Sequence, residues 1–434
     1  MPAPVTRRLP SGLSVLAYDL PGQYVLSVRL VVPLPLRVEP RDREGVATIM
    51  ARCLDEGTAR HTAAEFARLL ERRGVALGAG VGDSALSVDV DVAKRHLGYA
   101  LDLLRQCLAE PAFPESEVAR HVATRLAEIE QERSVAAHRA STQFAATLFD
   151  PQARASRPTG GSHATVEPIT RDDVVAFHAA HVAPEQATVV VSGDLSGLDV
   201  FAEVEQTLGA WRTPEGYASL GPWQPTQLAA DRHRVVVVDR PGSVQTEIVL
   251  GCPGPDRLVA GGWAPYPVLG FVLGGSPTAR IDALLREDLG YTYGMRSSFR
   301  PRRVGGVFVV SGSVRSEVTV PAVVHLRRVL RKAHDGFTED ETEQGRQFLV
   351  RTAPARYATA DTVADEAASL ALDGLTTDFT NDTLARIAAM TPDRLDAAYR
   401  AVIDDTWTIV LVGDADSFVD DLREVVSDVT VVPN

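Results

Sequence analysis

The most constraining feature of this sequence is an internal repeat. Residues 15–33 (VLAYDLPGQYVLSVRLVVP) match residues 235–253 (VVVVDRPGSVQTEIVLGCP), and residues 188–194 (TVVVSGD) match residues 408–414 (TIVLVGD). Both matches have the same offset of 220 residues. The identical positions in the first match include Asp19 and Asp239, Pro21 and Pro241, Gly22 and Gly242, and Pro33 and Pro253. A single offset at both ends of so long a span indicates duplication, so the sequence predicts two similar domains.

The length of the chain agrees with a duplication. With 434 residues, 45% of them hydrophobic, the chain is too long for one ordinary domain and can bury two cores. Residues 211–232 are rich in Pro and Gly and lack apolar periodicity, which is typical of a linker. The prediction is therefore an N-terminal domain at 1–210, a linker at 211–232 and a C-terminal domain at 233–434.

Both halves show the same order of predicted elements. In each half, two apolar runs joined by a Pro-Gly turn predict a pair of strands, at 15–33 and 235–253. Strict alternation at 83–92 predicts another strand, with 305–315 as its counterpart. The predicted helices lie at 43–55, 62–73, 93–109, 115–133, 264–274, 277–288, 319–334 and 339–350. Strands and helices mixed in this way predict an α+β fold of two homologous domains, each a mixed, mainly antiparallel sheet covered by helices.

Composition excludes several classes of partner. The 44 Lys and Arg residues against 57 Asp and Glu residues give a net charge of −13, which argues against nucleic acid or an anionic membrane as a partner. Cys53, Cys107 and Cys252 are widely spaced and odd in number, which favours neither a disulfide framework nor a cysteine metal site. No apolar run reaches the length of a signal peptide or a membrane span of about 18 residues. We therefore expect a cytoplasmic protein.

The first predicted helix supports a resemblance to a known family. The segment GVATIMARCLDEGTARHTAAEF resembles the first helix of the inverzincins, the zinc peptidases that include pitrilysin, insulin-degrading enzyme and the mitochondrial processing peptidases. In that family the motif His-x-x-Glu-His follows a Gly and precedes Gly-Thr, which correspond to Gly45, Gly57 and Thr58. With this alignment, the two His positions fall on Thr48 and Arg52, and the Glu position falls on Ala51.

These replacements remove the chemistry of the motif. Two imidazoles one helical turn apart hold Zn²⁺, and the Glu between them activates water. Thr48 is a poor zinc ligand, Arg52 carries a fixed positive charge, and Ala51 has no proton acceptor. The resemblance places the family's third ligand on Glu128, 76 residues after Arg52 and followed by Ile129. It therefore implies a degenerate zinc site, with no metal, cofactor or catalytic residue in this chain.

Two further hypotheses concern this site. Because Glu128 would lack its metal, we expect it to form a salt bridge with Arg52. The spacing of His178 and His181, at i and i+3, could ligate a metal, but no nearby Cys or carboxylate completes the set. The segment that contains these histidines also resembles the structural helix that closes the family's first domain.

A second resemblance lies in the other half of the chain. The segment LGGSPTARIDALLREDLGYTYGMRSSF resembles the signature of the family's second domain. The matching residues are Gly274, Gly275, Arg280, Leu285, Arg286, Glu287 and Tyr293. The resemblance implies that this turn binds substrate, with Arg286 and Tyr293 contacting the peptide backbone near the scissile bond, and Tyr291 is the alternative tyrosine. Without the resemblance, the sequence favours a surface arginine at 286 and a half-buried tyrosine at 293 in a helix-to-strand turn.

Together these features predict a function. The resemblance implies the non-catalytic, substrate-binding subunit of a heterodimeric zinc endopeptidase, which cleaves peptides in a closed chamber during peptide or leader-peptide processing. Its expected partners are a peptide substrate and a homologous subunit that carries the zinc. The alternative is a scaffold or interaction protein of the same fold with no substrate role. A third possibility is a peptide-binding module that acts alone.

Overall fold

Two six-stranded sheets organise the chain. A computed structural model describes residues 1–434. The strands are β1 (Val5–Arg8), β2 (Ser14–Asp19), β3 (Val25–Pro33), β4 (Gly57–Thr58), β5 (His61–Thr62), β6 (Ala76–Val81), β7 (Ala85–Ala93), β8 (Thr188–Gly193), β9 (Val235–Asp239), β10 (Gln245–Gly254), β11 (Arg296–Pro301), β12 (Gly306–Arg315), β13 (Thr408–Gly413) and β14 (Val429–Pro433). All of them except the short β4–β5 pair belong to the two large sheets.

Sixteen α-helices accompany the strands. They are α1 (Val46–Arg52), α2 (Ala63–Arg72), α3 (Leu97–Ala109), α4 (Glu115–Ser134), α5 (Ala136–Leu148), α6 (His163–Val166), α7 (Arg171–His181), α8 (Val200–Gln206), α9 (Pro265–Gly274), α10 (Arg280–Asp282), α11 (Thr319–Lys332), α12 (Glu339–Arg356), α13 (Ala360–Leu372), α14 (Thr377–Ala388), α15 (Pro392–Val402) and α16 (Val419–Val425). A π-helical turn, Ala283–Asp288, directly follows α10. No helix combines the length and the apolar composition that crossing a membrane requires.

The chain forms two compact units, and neither is continuous in sequence. The first unit consists of Met1–Ile129, Pro158–Pro222 and Pro354–Asn381, and the second of Glu130–Arg157, Trp223–Ala353 and Asp382–Asn434. The first unit therefore includes a segment from the second half of the chain, and the second unit includes one from the first half. In this respect the units differ from the continuous spans 1–210 and 233–434.

Both sheets have the mixed, mainly antiparallel character that the sequence predicts. The strand order is β1-β2-β8-β3-β7-β6 in the first unit and β14-β9-β13-β10-β12-β11 in the second. The repeat is visible in the pairing: Asp19 lies opposite Gly193 in the first sheet, and Asp239 lies opposite Gly413 in the second. The parallel pairs are β2–β8 in the first sheet and β9–β13 and β9–β14 in the second.

One prediction about the strands is wrong. β2 and β3 were expected to pair directly across their Pro-Gly turn, but β8 lies between them, parallel to β2 and antiparallel to β3. β8 is almost completely buried, so its apolar side chains favour a central position in the sheet. A connection of a few residues can cross one intervening strand, because neighbouring strands are only about 4.8 Å apart. The same exchange occurs in the second sheet, where β13 separates β9 and β10.

Each sheet is covered on both faces. One face of the first sheet packs against α1, α3 and α7 in a large apolar core. The other face packs against α13, whose Val363, Ala364 and Ala367 lie against Tyr18 and Val190. The second unit repeats this arrangement: α9, α11, α15 and α16 cover one face, and α5 covers the other. Burial of both faces explains why the central strands are apolar without alternation.

Candidate functional site

The backbone around α1 explains the glycine at its start. Gly45 adopts a φ of 104°. A Cβ at this position would lie 2.8 Å from the carbonyl oxygen of Gly160, so only glycine fits without a shift. The buried carboxylate of Glu39 accepts hydrogen bonds from the backbone N–H groups of Gly45 (3.0 Å) and Ala47 (3.1 Å). An acidic side chain at a helix N-terminus stabilises it, so the position of α1 is well defined.

Arg52 and Glu128 meet between α1 and α4. The Arg52 Nη1 atom lies 3.0 Å from Glu128 Oε1, and Nη2 lies 2.8 Å from Oε2, which makes the contact bidentate. The predicted salt bridge is therefore present. Arg125, whose side chain is buried, also donates from Nη1 to Glu128 Oε2 at 3.2 Å. The pKa of the Glu128 carboxyl is lowered, mainly by the hydrogen bond from Arg52 and also by Arg125.

The other two positions of the degenerate site carry no metal chemistry. Ala51 is buried, and Thr48 is half-buried on α1. The only carboxylate of the set, Glu128, is already bonded to two guanidinium groups. Zinc requires several neutral or anionic ligands, so these residues do not fit it. Elsewhere in the chain, no group of three or more His, Cys, Asp or Glu residues lies in a metal-holding arrangement.

The two histidines of α7 are packed into the first unit. His178 is buried, and its Nε2 atom lies 3.0 Å from the carbonyl oxygen of Leu108. Burial lowers its pKa to about 4, so the ring is neutral near pH 7. The ring also forms an edge contact with Phe113, and the His181 ring lies against Phe177. These contacts are those of core histidines.

One neighbouring cluster was not anticipated from the sequence. Glu56 Oε1 lies 2.9 Å from His121 Nε2 and also accepts a hydrogen bond from Arg120, so a second polar cluster joins the segment after α1 to α4. Its positions carry a signal that could have revealed it. Glu56 follows Arg52 by four residues, and His121 precedes Glu128 by seven. These spacings correspond to about one and two helical turns, so two antiparallel segments that meet at Arg52 and Glu128 also meet at Glu56 and His121.

In the second unit, most of the signature segment is structural. Arg280 makes a bidentate contact with Glu341 at 2.6 and 2.8 Å, and its guanidinium lies over the Phe337 ring. Gly274 is buried, and a Cβ there would lie 2.9 Å from the backbone nitrogen of Ser297. α9 can therefore approach β11 closely. Gly275, by contrast, is exposed.

Arg286 occupies the π-helical turn. The widened turn is defined by the bond from Leu289 N–H to the Leu284 carbonyl, at 3.0 Å. π-helical turns are rare and are often found at functional sites. The Arg286 side chain is 39% exposed, and its nearest carboxylate is that of its neighbour Glu287, at 3.5 Å. Its guanidinium is therefore partly exposed, and its ion pair is with a sequence neighbour on the same turn.

The two candidate tyrosines differ sharply in exposure. Tyr293 is 94% exposed, whereas Tyr291 packs against the core of the second unit. The backbone that carries Tyr293 is nevertheless fixed on both sides. Thr292 Oγ1 donates to the Ser313 carbonyl at 2.7 Å, and Met295 N–H donates to the buried Asp282 carboxylate at 2.7 Å. An exposed aromatic ring on an ordered turn is positioned for contact with another molecule.

Comparison with known proteins assigns the chain to a family. The sequence model described as insulinase, peptidase family M16, matches residues 14–155. The model described as the peptidase M16 inactive domain matches residues 168–349. The chain belongs to peptidase family M16. It lacks the family's His-x-x-Glu-His zinc motif, and the match to the inactive-domain model supports a non-catalytic chain.

Relatives with zinc-protease and non-peptidase names cover most of the chain, and a solved structure shares its fold. An uncharacterized zinc protease of Mycobacterium tuberculosis is 27% identical over 78% of this chain and 77% of its own. A non-peptidase homolog, YmxG, of Helicobacter pylori is 24% identical over 85% of each chain. The crystal structure of a peptidase M16 inactive domain from Pseudomonas fluorescens shares the fold with a TM-score of 0.86 and 23% identity, over 94% of this chain and 98% of that one.

Proposed function

We propose that this chain is the substrate-binding, non-catalytic subunit of a heterodimeric zinc endopeptidase. The partner would be a homologous M16 chain with an intact zinc motif. Peptide hydrolysis would occur at the partner's zinc, during processing of peptides or leader peptides. This chain would contribute contacts to the peptide backbone.

One observation carries the proposal: Arg286 and Tyr293 are retained and accessible while the zinc site is lost. An arginine offers a planar fork of donors that suits a peptide carbonyl or carboxylate. A tyrosine hydroxyl is a donor that can stabilise developing negative charge, and neither group needs to titrate near pH 7. The name of the Helicobacter pylori homologue, a non-peptidase, is consistent with a role that does not include catalysis.

Reconstitution with a zinc-bearing homologue tests the proposal. The two chains are coexpressed, and the complex is isolated by size-exclusion chromatography. We expect a one-to-one complex that contains about one zinc, held by the partner's His-x-x-Glu-His motif. Cleavage of a library of unfolded peptides should require both chains. As a control, replacing the partner's motif Glu should abolish cleavage without disturbing assembly.

The alternative, a scaffold without a substrate role, gives a different result. In that case the complex forms, but the zinc-bearing chain cleaves peptides equally well without this subunit. Failure of the two chains to associate, with full activity of the partner alone, would remove the heterodimer as well.

A further inference from the structure

The second unit contains a basic pocket that the proposed function does not use. It has a volume of about 190 Å³ and lies between the start of β9, helix α11, the loop before β13 and the end of α16. Its polar wall includes Arg234, Arg327 and Asp405. Its apolar wall is formed by Val235, Ile409 and Val426, which the adjoining core holds in place.

Helix α11, which borders this pocket, is rich in positively charged residues. Its sequence, TVPAVVHLRRVLRK, contains four cationic residues and no acidic residue, in a chain whose net charge is −13. Arg327 is the member of this group that lines the pocket. It makes no ion pair or hydrogen bond within the chain. An unpaired arginine on an acidic protein leaves five N–H donors for a ligand.

The other charged groups at the pocket do not neutralise the positive charge of Arg327. Asp405 accepts from Arg331 Nε at 2.6 Å and from the Trp407 indole at 3.3 Å, so its charge is already offset. Arg234 pairs with Asp231 at 2.8 Å, but its Nε atom is buried and has no acceptor. His233 also lines the pocket, and its pKa is lowered by partial burial and then by nearby Arg232.

From this arrangement we infer that the pocket binds a small oxyanion, either a phosphate-type ion or a carboxylate. Arginine is the preferred residue for both, because its planar donors match two oxygens at once. The volume accommodates one tetrahedral oxyanion, or a carboxylate with a short apolar substituent against the Val235 side. The two sources of this chemistry are free inorganic phosphate and the terminal carboxylate of a peptide.

Isothermal titration of the full chain with inorganic phosphate tests the inference. Ionic strength is held constant with chloride, so that general screening does not change. Wild type should bind phosphate at one saturable site. The Arg327→Ala variant should bind at least about tenfold more weakly, as expected for the loss of a charge-assisted hydrogen bond. The matched control is Arg328→Ala, the next residue of α11, which is exposed and does not line the pocket.

Further measurements distinguish the two candidate ligands and provide a second variant of Arg327. A short peptide with a free terminal carboxylate is compared with its amidated form; discrimination between them supports the carboxylate source, and phosphate binding alone supports the inorganic source. If Arg327→Ala does not fold, Arg327→Lys keeps the charge without the fork and should weaken binding by a smaller factor. The inference is overturned if neither phosphate nor the free carboxylate saturates at constant ionic strength. Equal weakening by Arg327→Ala and Arg328→Ala would overturn it too.

Discussion

The predicted degenerate zinc site and the turn that carries Arg286 and Tyr293 differ in how their polar side chains are paired and exposed. In the first, Arg52 and Arg125 both donate to Glu128, so the opposite charges pair with one another within the chain. In the second, hydrogen bonds hold the backbone, while Tyr293 projects into solvent. The comparison teaches that charged groups at the position of the lost zinc motif pair with one another, whereas the turn proposed to bind substrate keeps its tyrosine exposed on a fixed backbone.

The largest expected effect is a gain of zinc binding when the Arg52–Glu128 pair is replaced by metal ligands. In a Thr48→His, Arg52→His variant, two imidazoles lie one turn apart on α1, and Glu128 loses the guanidinium that holds it. We expect this variant to take up about one zinc per chain and wild type to take up none, because three ligands suffice for such a site. Metal analysis after mild chelation measures the difference.

The single variant Thr48→His provides the control for that experiment. It adds one ligand but keeps the Arg52 charge against Glu128, so it should remain free of zinc. Equal zinc content in the double variant and wild type would show that the site is closed by more than the Arg52–Glu128 contact.

The second prediction concerns the exposed turn. In the reconstituted complex, Arg286→Ala combined with Tyr293→Phe should lower peptide turnover by roughly 100- to 1000-fold, the effect of removing a donor that faces developing charge. Folding and assembly should be unchanged, because neither side chain is buried. Turnover is measured with a quenched fluorescent peptide at matched zinc content.

Matched controls exist for both substitutions. Arg315→Ala removes another exposed arginine of the second unit, one that pairs only with nearby Glu317. Tyr24→Phe removes the hydroxyl of a tyrosine that is 66% exposed. Both controls should keep full activity. Full activity in the Arg286→Ala, Tyr293→Phe variant would instead favour the scaffold role.

The sequence predicted local structure better than pairing. The helices predicted at 43–55, 62–73 and 115–133 are present as α1, α2 and α4, because amphipathic spacing and caps are local properties. The predicted β2–β3 pair was wrong because strand alternation does not identify the neighbour in the sheet. The positions of α5 and α13, each in the unit built mainly from the other half of the chain, could not be predicted either. An apolar stripe shows that a helix is covered but does not show which surface covers it.

The sites, like the fold, were only partly predictable from the sequence. The Arg52–Glu128 contact was predictable because a family spacing connected the two residues. The basic pocket was not, because Arg234, Arg327 and Asp405 are far apart in sequence and acquire a common wall only in the folded unit.

A third prediction concerns stability. Arg52→Ala should lower the free energy of unfolding of the first unit by about 1–2 kcal/mol, between the values for exposed and buried ion pairs. An intermediate value is expected because the Arg52 and Glu128 side chains are 29% and 35% exposed. Urea unfolding followed by circular dichroism measures it. The control Arg423→Ala breaks a pair that is 53% and 94% exposed and should cost less than about 1 kcal/mol.

The smallest expected effect is the pH dependence of that difference. Arg52, and then Arg125, lower the pKa of the Glu128 carboxyl below its ordinary value of 4.5. A carboxyl whose folded pKa is depressed stabilises the fold above the unfolded pKa, and this contribution is lost as the pH falls through the folded pKa. The gap in unfolding free energy between wild type and Arg52→Ala should therefore be constant from about pH 7 to 5 and narrow below about 4.5. The narrowing should be under about 1 kcal/mol, because Arg125 still faces Glu128 in the variant and both groups of the pair are partly solvated.

Repeating the comparison in a Glu128→Gln background removes the titrating group, so the difference in unfolding free energy should then be small and independent of pH. A wild-type gap that stays constant down to pH 3, or that widens as the pH falls, would contradict the assignment of this charge pairing to Arg52 and Glu128.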